Sequence, residues 1–290
     1  MHDMEKYVII SPVRNEADFI ETTIQSVLGQ TILPEEYILV NDGSTDGTDE
    51  IIDHYTRQHS WIRKINRTNP VHQPGAGVVA AFYAGFDQIK TKDWDYVIKL
   101  DGDLKFETDY FEQQILRFRN NPKLGITSGK TYQPRGDRLV LDRMPDDHTR
   151  GPAKMYKRTC WEQIGGIDPV LGWDTLDELK AQVRNWETRS FPEIVLIHYK
   201  PIGYKQKNII KREWKAGERL HFLGYYWPFV LARGCYHMLQ KPYWVAGMLN
   251  ILGFIKAEIA NSEQIPDRSI IRHLRKKQKQ RLTGKRKLIG

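Results

Sequence analysis

Two cysteines in 290 residues, Cys160 and Cys235, are too few and too far apart to build a disulfide framework or to hold a metal at a familiar ligand spacing. A reducing compartment is therefore the expectation. Long apolar runs are missing from the aromatic C-terminal third. Its longest stretch without a charged side chain, 242–255, has 14 residues, against the roughly 20 that a membrane-spanning helix requires. At the start, Met1-His2-Asp3-Met4-Glu5-Lys6 runs straight into Tyr7-Val8-Ile9-Ile10, too short an apolar run for a secretory leader, so the body of the chain is expected in the cytoplasm. No internal repeat is visible. No Gly-x-Gly-x-x-Gly follows the first apolar run, and acids stand where a pyrophosphate would sit, which argues against a dinucleotide oxidoreductase.

Acids are absent from 268–290, and that absence explains the net charge of +8. Ten of the 44 lysines and arginines lie there, so the residues before it carry 34 basic against 36 acidic side chains. The basicity belongs to the tail. The length suits one α/β core with an appendage rather than two unrelated domains.

What is present in the first half is an alternation of short apolar runs with helical spacing. Segments 7–11, 37–41 and 96–100 read as buried strands, while Ile20, Ile24, Val27 and Leu28, and then Ile51, Ile52 and Tyr55, recur at helical intervals. This order predicts an α/β fold with a mainly parallel sheet and helices on both faces, whose ligands sit beyond the carboxyl ends of the strands. Further on, 157–164 and 175–186 read as helices and 195–198 as a strand.

Two polar loops fall at that strand edge. Val40 is followed by Asn41-Asp42-Gly43-Ser44-Thr45-Asp46-Gly47-Thr48, and Leu100 by Asp101-Gly102-Asp103. Asp101 and Asp103, one small residue apart at a strand end, can converge on a hard divalent cation, which in turn bridges the two phosphates of a nucleotide. Asp42 can accept hydrogen bonds from a base or ribose, and Gly43 and Gly47 permit a tight backbone. The plain alternative for both is a turn or a capped helix start, since Asp, Gly and Ser favour either. Two acidic loops on one edge favour the ligand reading.

Taken in order, Ser11-Pro12-Val13-Arg14-Asn15-Glu16, the 41–48 loop and Lys99-Leu100-Asp101-Gly102-Asp103 resemble the signatures of family 2 glycosyltransferases with the GT-A fold, over about residues 7–198. The resemblance implies a Rossmann-like sheet flanked by helices, inverting transfer from a UDP- or GDP-sugar, and Mg2+ or Mn2+. Pro12, Arg14 and Glu16 would line the nucleotide pocket and Asp42 would contact the base. Lys99, Asp101 and Gly102 would lie on the donor side, with Asp103 the more direct metal ligand and Asp101 on ribose or metal. His198 would complete the metal site, imidazole being a suitable third ligand, or serve as a buried structural histidine.

Gly172-Trp173-Asp174-Thr175-Leu176-Asp177-Glu178-Leu179 resembles the family's acceptor-side motif, which usually ends in Glu-Asp. Leu176 stands where Glu is usual, so Asp177 is the matching carboxylate and the expected base that takes the acceptor proton during inversion. Asp174 and Glu178 are the other candidates, and all three acids also suit a helix N-terminus. Gly151, which would allow substrate close approach, joins Trp173 and Asp174 on the acceptor side. Gln73-Pro74-Gly75-Ala76-Gly77 resembles a glycine-containing helix entry, a donor contact or simply a cap, with Tyr83 where many members carry Asn.

From Phe222 onward, Tyr225, Tyr226, Trp227, Phe229, Tyr243 and Trp244 interleave with Arg233, His237, Lys241 and Lys256. Two interfacial helices broken near Gln240-Lys241-Pro242 are the preferred reading, a helical hairpin packed on the catalytic domain the other. Lys205, Lys207, Lys211, Arg212, Lys215 and Arg219 precede them, and together with the tail could hold anionic lipid heads or a lipid-linked phosphate. No nucleic-acid fold accompanies the tail, so nucleic acid is not an expected partner; a solvated, disordered tail without a partner is the simpler alternative.

The expected organisation is a GT-A catalytic domain over 1–200, nucleotide-sugar binding in 1–105 and acceptor side in 106–200, then an aromatic helical segment over 201–267 and the basic tail. The expected function is metal-dependent sugar transfer to a glycan or lipid-linked acceptor in cell-surface polysaccharide assembly, peripheral at the inner face of the membrane. A polyprenyl-phosphate acceptor and a non-catalytic nucleotide-sugar-binding scaffold are the alternatives.

Overall fold

In the computed structural model, which describes residues 5–67, 75–200, 208–239 and 243–284, the chain divides into two compact units, 1–201 and 202–290.

The first unit is built on nine strands: β1 (Tyr7–Val13), β2 (Glu36–Asn41), β3 (Ile62–Asn66), β4 (Tyr96–Leu100), β5 (Leu104–Phe106), β6 (Leu124–Arg135), β7 (Arg138–Leu141), β8 (Ala153–Lys157) and β9 (Glu187–His198). The helices between them are α1 (Ile20–Leu28), α2 (Thr48–Gln58), α3 (Ala76–Phe86), α4 (Tyr110–Asn120), α5 (Arg158–Ile164) and α6 (Trp173–Val183). The sheet order is β3-β2-β1-β4-β8-β6-β9-β5, with β7 paired to β6 at the side. Strands β3, β2, β1 and β4 run parallel; β8 is antiparallel to β4 and to β6, and β6 is parallel to β9. The expected parallel sheet is thus half of a mixed one.

Alternation along β1 shows why both faces are covered. Tyr7 and Ile9 face a core with Ile20, Ile24, Phe111 and Phe118, whereas Val8 and Ile10 face one with Val79, Phe82, Trp161 and Ile164. Successive strand side chains point to opposite faces, so a strand buried on both must be apolar throughout. A methyl group at Gly85 would come within 2.7 Å of Ile10 and 2.8 Å of Val40 side-chain carbons, so the missing Cβ lets α3 lie directly on the sheet.

Two boundaries differ from the sequence reading. The helix expected to reach Trp186 ends at Val183, because Asn185 turns the chain with a φ of 66°. The strand expected at 195–198 begins at Glu187; pairing with β6 jumps from Phe191 to Val195, so an irregularity around Pro192 hides the strand's first half from a periodicity reading.

The second unit contains α7 (Ile209–Phe222), α8 (Trp227–Met238), α9 (Val245–Ile259) and α10 (Arg268–Leu282). A Cβ on Gly217 would lie 2.1 Å from the Asn250 carbonyl, and one on Gly253 2.3 Å from the Trp214 carbonyl, so α7 and α9 cross with their backbones almost touching. Leu220, Val230 and Phe254 form the small core. The tail is not disordered over 268–282: Ile270, Ile271 and Leu274 are buried, and the Asp267 side chain caps the helix by accepting from Ser269 N at 2.8 Å. Seven cations in that stretch outweigh four apolar side chains in any composition measure, which is why the helix was not expected. Among the described residues no helix is long and apolar enough to cross a membrane. Gln73, Pro74, Lys205, Lys207 and the break at Gln240-Lys241-Pro242 lie outside the described residues.

Candidate active site

The carboxyl ends of β1, β2 and β4 bring the expected donor-side residues to one edge. Pro12, the penultimate residue of β1, pairs opposite Val40. After it the 14–17 and 41–48 loops are laced together: Asn15 N donates to Ser44 Oγ (3.1 Å), Thr45 N to Asn15 Oδ1 (2.9 Å), Glu16 N to Thr48 Oγ1 (2.9 Å) and Ala17 N to Asp46 Oδ2 (3.1 Å). Asn15 takes a φ of 54°, which its short polar side chain tolerates. Asp42 N donates to the Val13 carbonyl at 2.8 Å, and the Asp42 carboxylate is paired with Arg67. Arg67 follows directly on β3, at the same sheet edge.

Asp101 and Asp103 leave β4 in a tight turn. Gly102 is buried there, and a Cβ on it would press within 2.9 Å of Val13 and 3.3 Å of Glu16, so it admits the turn against the 14–17 loop. Antiparallel pairing of β5 with β9 sets Leu104 opposite His198, which carries the imidazole to Asp103; Nε2 lies 3.1 Å from Oδ2. One ligand atom from each of Asp101, Asp103 and His198 lies within 4.8 Å of the others. Burial pushes the Asp103 pKa up, but His198 and the Lys200 backbone N–H (3.2 Å) more than offset it and hold the carboxyl below its ordinary range. His198 Nδ1 is buried without a hydrogen-bond partner among the described residues, so the ring has spare coordinating capacity. Two carboxylates and an imidazole with a spare nitrogen fit a hard divalent ion of the Mg2+ or Mn2+ type. Beyond His198, Tyr199 stacks on Phe19 at 5.0 Å, and Lys200 pairs with Glu16 and donates to the Asn15 carbonyl at 3.0 Å.

The residues expected on the acceptor side adjoin this edge through Lys99. Its buried ammonium pairs with Asp101 and donates to the Gly151 carbonyl at 3.0 Å. Gly151 in turn abuts the first turn of α6, where a Cβ would stand 3.4 Å from the Trp173 ring and 3.5 Å from the Asp174 Cβ. Trp173 is only 7% exposed. Its ring, 5.3 Å from Lys99 Nζ and 5.6 Å from Lys154 Nζ, forms wall rather than surface.

The expected base, Asp177, has both carboxylate oxygens engaged. Its carboxylate is fully buried and accepts from Lys154 Nζ at 2.8 and 2.9 Å, from Tyr156 Oη at 2.5 Å and from Glu178 N at 2.6 Å. Burial, helped by the Glu178 charge and opposed by Lys154, pushes its pKa up to about 6. Glu178 is equally enclosed, taking hydrogen bonds from His148 (2.8 Å) and from Thr149 N and Oγ1 (2.5 Å each). Asp174, half-buried beside Gly151, is the acid of the three with access to solvent.

The family model described as glycosyl transferase family 2 matches residues 8–168, more than half of the chain. The chain belongs to that family. Among its relatives, the poly-beta-1,6-N-acetyl-D-glucosamine synthase of Staphylococcus epidermidis is 28% identical over 191 residues, covering 64% of this chain and 43% of that protein. The enzyme of the same name from Staphylococcus aureus strain MSSA476 is 27% identical over 200 residues, 68% of this chain and 46% of that one. The chain thus spans less than half the length of these relatives. In solved structures the fold recurs in the mannosyltransferase PcManGT from Pyrobaculum calidifontis in complex with GDP-Man and Mn2+, with a TM-score of 0.56, 15% identity and coverage of 90% of this chain and 77% of that one. It recurs in S. aureus TarS 1-349 in complex with UDP-GlcNAc, with a TM-score of 0.57, 15% identity and coverage of 89% and 73%. At such identity these likenesses establish the GT-A type of fold.

For this family 2 chain, sequence reasoning missed Arg67, Lys154 and Lys200. Arg67 and Lys200 were reachable by the rule that found Asp42, since one directly follows β3 and the other lies two residues beyond β9. Lys154 carried a signal of its own, a charge between Ala153 and Met155-Tyr156 in a short strand-like segment.

Proposed function

We propose that the first unit transfers a sugar, with inversion, from a nucleoside diphosphate sugar to a hydroxyl of a glycan or lipid-linked acceptor in polysaccharide assembly. The observation that carries this reading is the convergence of Asp101, Asp103 and His198 beside the laced 14–17 and 41–48 loops, with the half-buried Asp174 joined to them through Lys99 and Gly151.

In this reading the loop carrying Pro12, Arg14 and Glu16 and the Asp42–Arg67 pair bind the nucleoside, Asp42 accepting from the base. Asp101, Asp103 and His198 hold Mg2+ or Mn2+, which supplies the positive charge that neutralises a diphosphate leaving group. Asp174 replaces Asp177 as the base. Its carboxylate takes the proton of the acceptor hydroxyl as that oxygen bonds to the anomeric carbon and the bond from that carbon to the diphosphate breaks on the opposite face. Gly151, without a side chain, leaves room for the acceptor beside Asp174. Lys99 holds Asp101 and the Gly151 carbonyl in fixed relation, and Trp173 and Gly102 shape the walls.

The names of the relatives and the ligand of one structural neighbour make UDP-N-acetylglucosamine the first donor to test, and GDP-mannose the second. The test is a panel of UDP-, GDP-, CDP- and dTDP-sugars with Mn2+ or Mg2+, following nucleotide release with and without added lipid phosphate. Release that needs the metal and disappears in Asp103→Ala is the expected result. Silence across the panel from folded protein supplied with lipid phosphate would overturn catalysis in favour of a nucleotide-sugar-binding scaffold. We place the acceptor at the cytoplasmic face of a membrane, and dependence of turnover on lipid phosphate would mark it as polyprenyl-linked.

A further inference from the structure

Arg272, Arg275, Lys276 and Lys279 recur at i, i+3, i+4 and i+7 and so share one face of α10, with Thr283 in line just past its end, turned away from the buried Ile270, Ile271 and Leu274. With Gln280 they line an open surface pocket of about 430 Å³, and among the described residues its lining holds no carboxylate. Four cations on one face repel one another, and no acidic side chain among the described lining residues offsets that repulsion; an anionic surface would. The face is also tied to an apolar neighbour. Arg275 Nε donates to the Gly224 carbonyl at 2.8 Å, and Lys279 Nζ lies 5.0 Å from the centre of the Tyr226 ring, at the turn that opens α8. There Trp227 is 62% exposed, and the exposed Leu231 and Cys235 follow it at four-residue spacing on one side of α8.

We propose that this face of α10, together with Trp227 and Leu231, docks the chain on a bilayer rich in anionic phospholipid. Lipid phosphates fill the cationic pocket while Trp227 sits at headgroup level, where an amphipathic ring beside basic residues is favoured. A second copy of the chain would bring the same positive face against this one. A nucleic acid would match the charge but leave the exposed Trp227 and Leu231 without a role. The docking does not depend on the donor chemistry, so either can fail without the other.

The test is co-sedimentation of the full chain with vesicles of phosphatidylcholine alone and of phosphatidylcholine mixed with phosphatidylglycerol, at low and high salt. Binding to the mixed vesicles only, weakened by salt, is the expected outcome. Replacing three solvent-facing cations together (Arg272→Gln, Lys276→Gln, Lys279→Gln) lowers the partition coefficient on the order of a hundredfold, about fivefold for each cation, with the melting temperature unchanged. Trp227→Ala weakens binding by a similar factor at low and at high salt, because its contribution is not screened, whereas the loss from the cation variants shrinks as salt rises. Equal pelleting with neutral vesicles, full retention by the triple variant, no binding by folded wild type, or capture of a nucleic-acid duplex in preference to the mixed vesicles would each overturn the proposal.

Discussion

A carboxylate can act as a general base only when a lone pair is both free and reachable, and that condition separates three acids lying within five residues of one another. Asp177 and Glu178 spend their oxygens on Lys154, Tyr156, His148 and Thr149; Asp174 does not share that enclosure. Asp174→Asn is therefore expected to lower kcat by roughly 10²- to 10⁴-fold while nucleotide binding, read by calorimetry, stays near the wild-type level. Glu178 makes a different prediction. Burial alone would raise its pKa, but the charges of Lys154 and His148 with the hydrogen bonds of His148 and Thr149 bring it down to about 2, from an ordinary 4.5. Its contribution to stability is complete above pH 4.5 and is lost as pH falls toward 2. Burial lowers the His148 pKa, yet the Glu178 charge lifts it above its ordinary 6.5, so the histidine's contribution is complete below pH 6.5 and is lost as pH rises through the folded value. Glu178→Gln should thus destabilise most between pH 4.5 and 6.5, by about 3–5 kcal/mol as one partner of a buried pair is removed, and a thermal-denaturation series across pH would show the gap closing toward acid. Both acids were visible in the sequence. Which of the three was free was not, because Lys154 and His148 reach α6 from chain positions more than 20 residues away.

Elements were legible in proportion to how well their periodicity survived. Parallel strands β1, β2 and β4 alternate between two apolar faces and stood out at once, as did the loops at their carboxyl ends, because a fully buried strand has no polar side to blur it. Strand β9 did not, since Thr188 and Ser190 are buried polar residues and the irregularity around Pro192 breaks the alternation. Helix α10 was hidden for the opposite reason, its apolar stripe being too narrow beside its cations. Gly217 of α7 and Gly253 of α9 are the crossing points of these helices. Gly253→Ala would force a methyl group to within 2.3 Å of the Trp214 carbonyl, and overpacking of this kind costs about 1–3 kcal/mol. The expected result is a lower denaturant midpoint for the second unit, followed by fluorescence, with nucleotide binding by the first unit unaffected.

At the scale of the whole molecule, charge and chemistry are divided between the two units: the acids that would meet a metal lie in the first, and the excess cations in the second. The candidate donor site is assembled from segments far apart in sequence, 12–17, 41–48, 99–103 and 198–200, each tied to another by hydrogen bonds. Local opening of any one of them must break those ties, so a ligand that bridges them suppresses the opening of all. A nucleotide with Mn2+ at a hundred times its Kd stabilises the state that binds it by about 2.7 kcal/mol, which corresponds to roughly a hundredfold slower amide exchange wherever exchange proceeds through that opening. Hydrogen exchange followed by mass spectrometry, with UDP or GDP and Mn2+ and then with EDTA added, should therefore show protection that appears in these four segments together, leaves α7, α8, α9 and α10 unchanged, and reverses on chelation. Protection confined to 12–17 and 41–48 and indifferent to EDTA would mean that the nucleoside binds without the Asp101, Asp103 and His198 cluster, and the metal would lose its place in the reaction; protection in α10 alone would move the nucleotide to the second unit and leave the first without its donor.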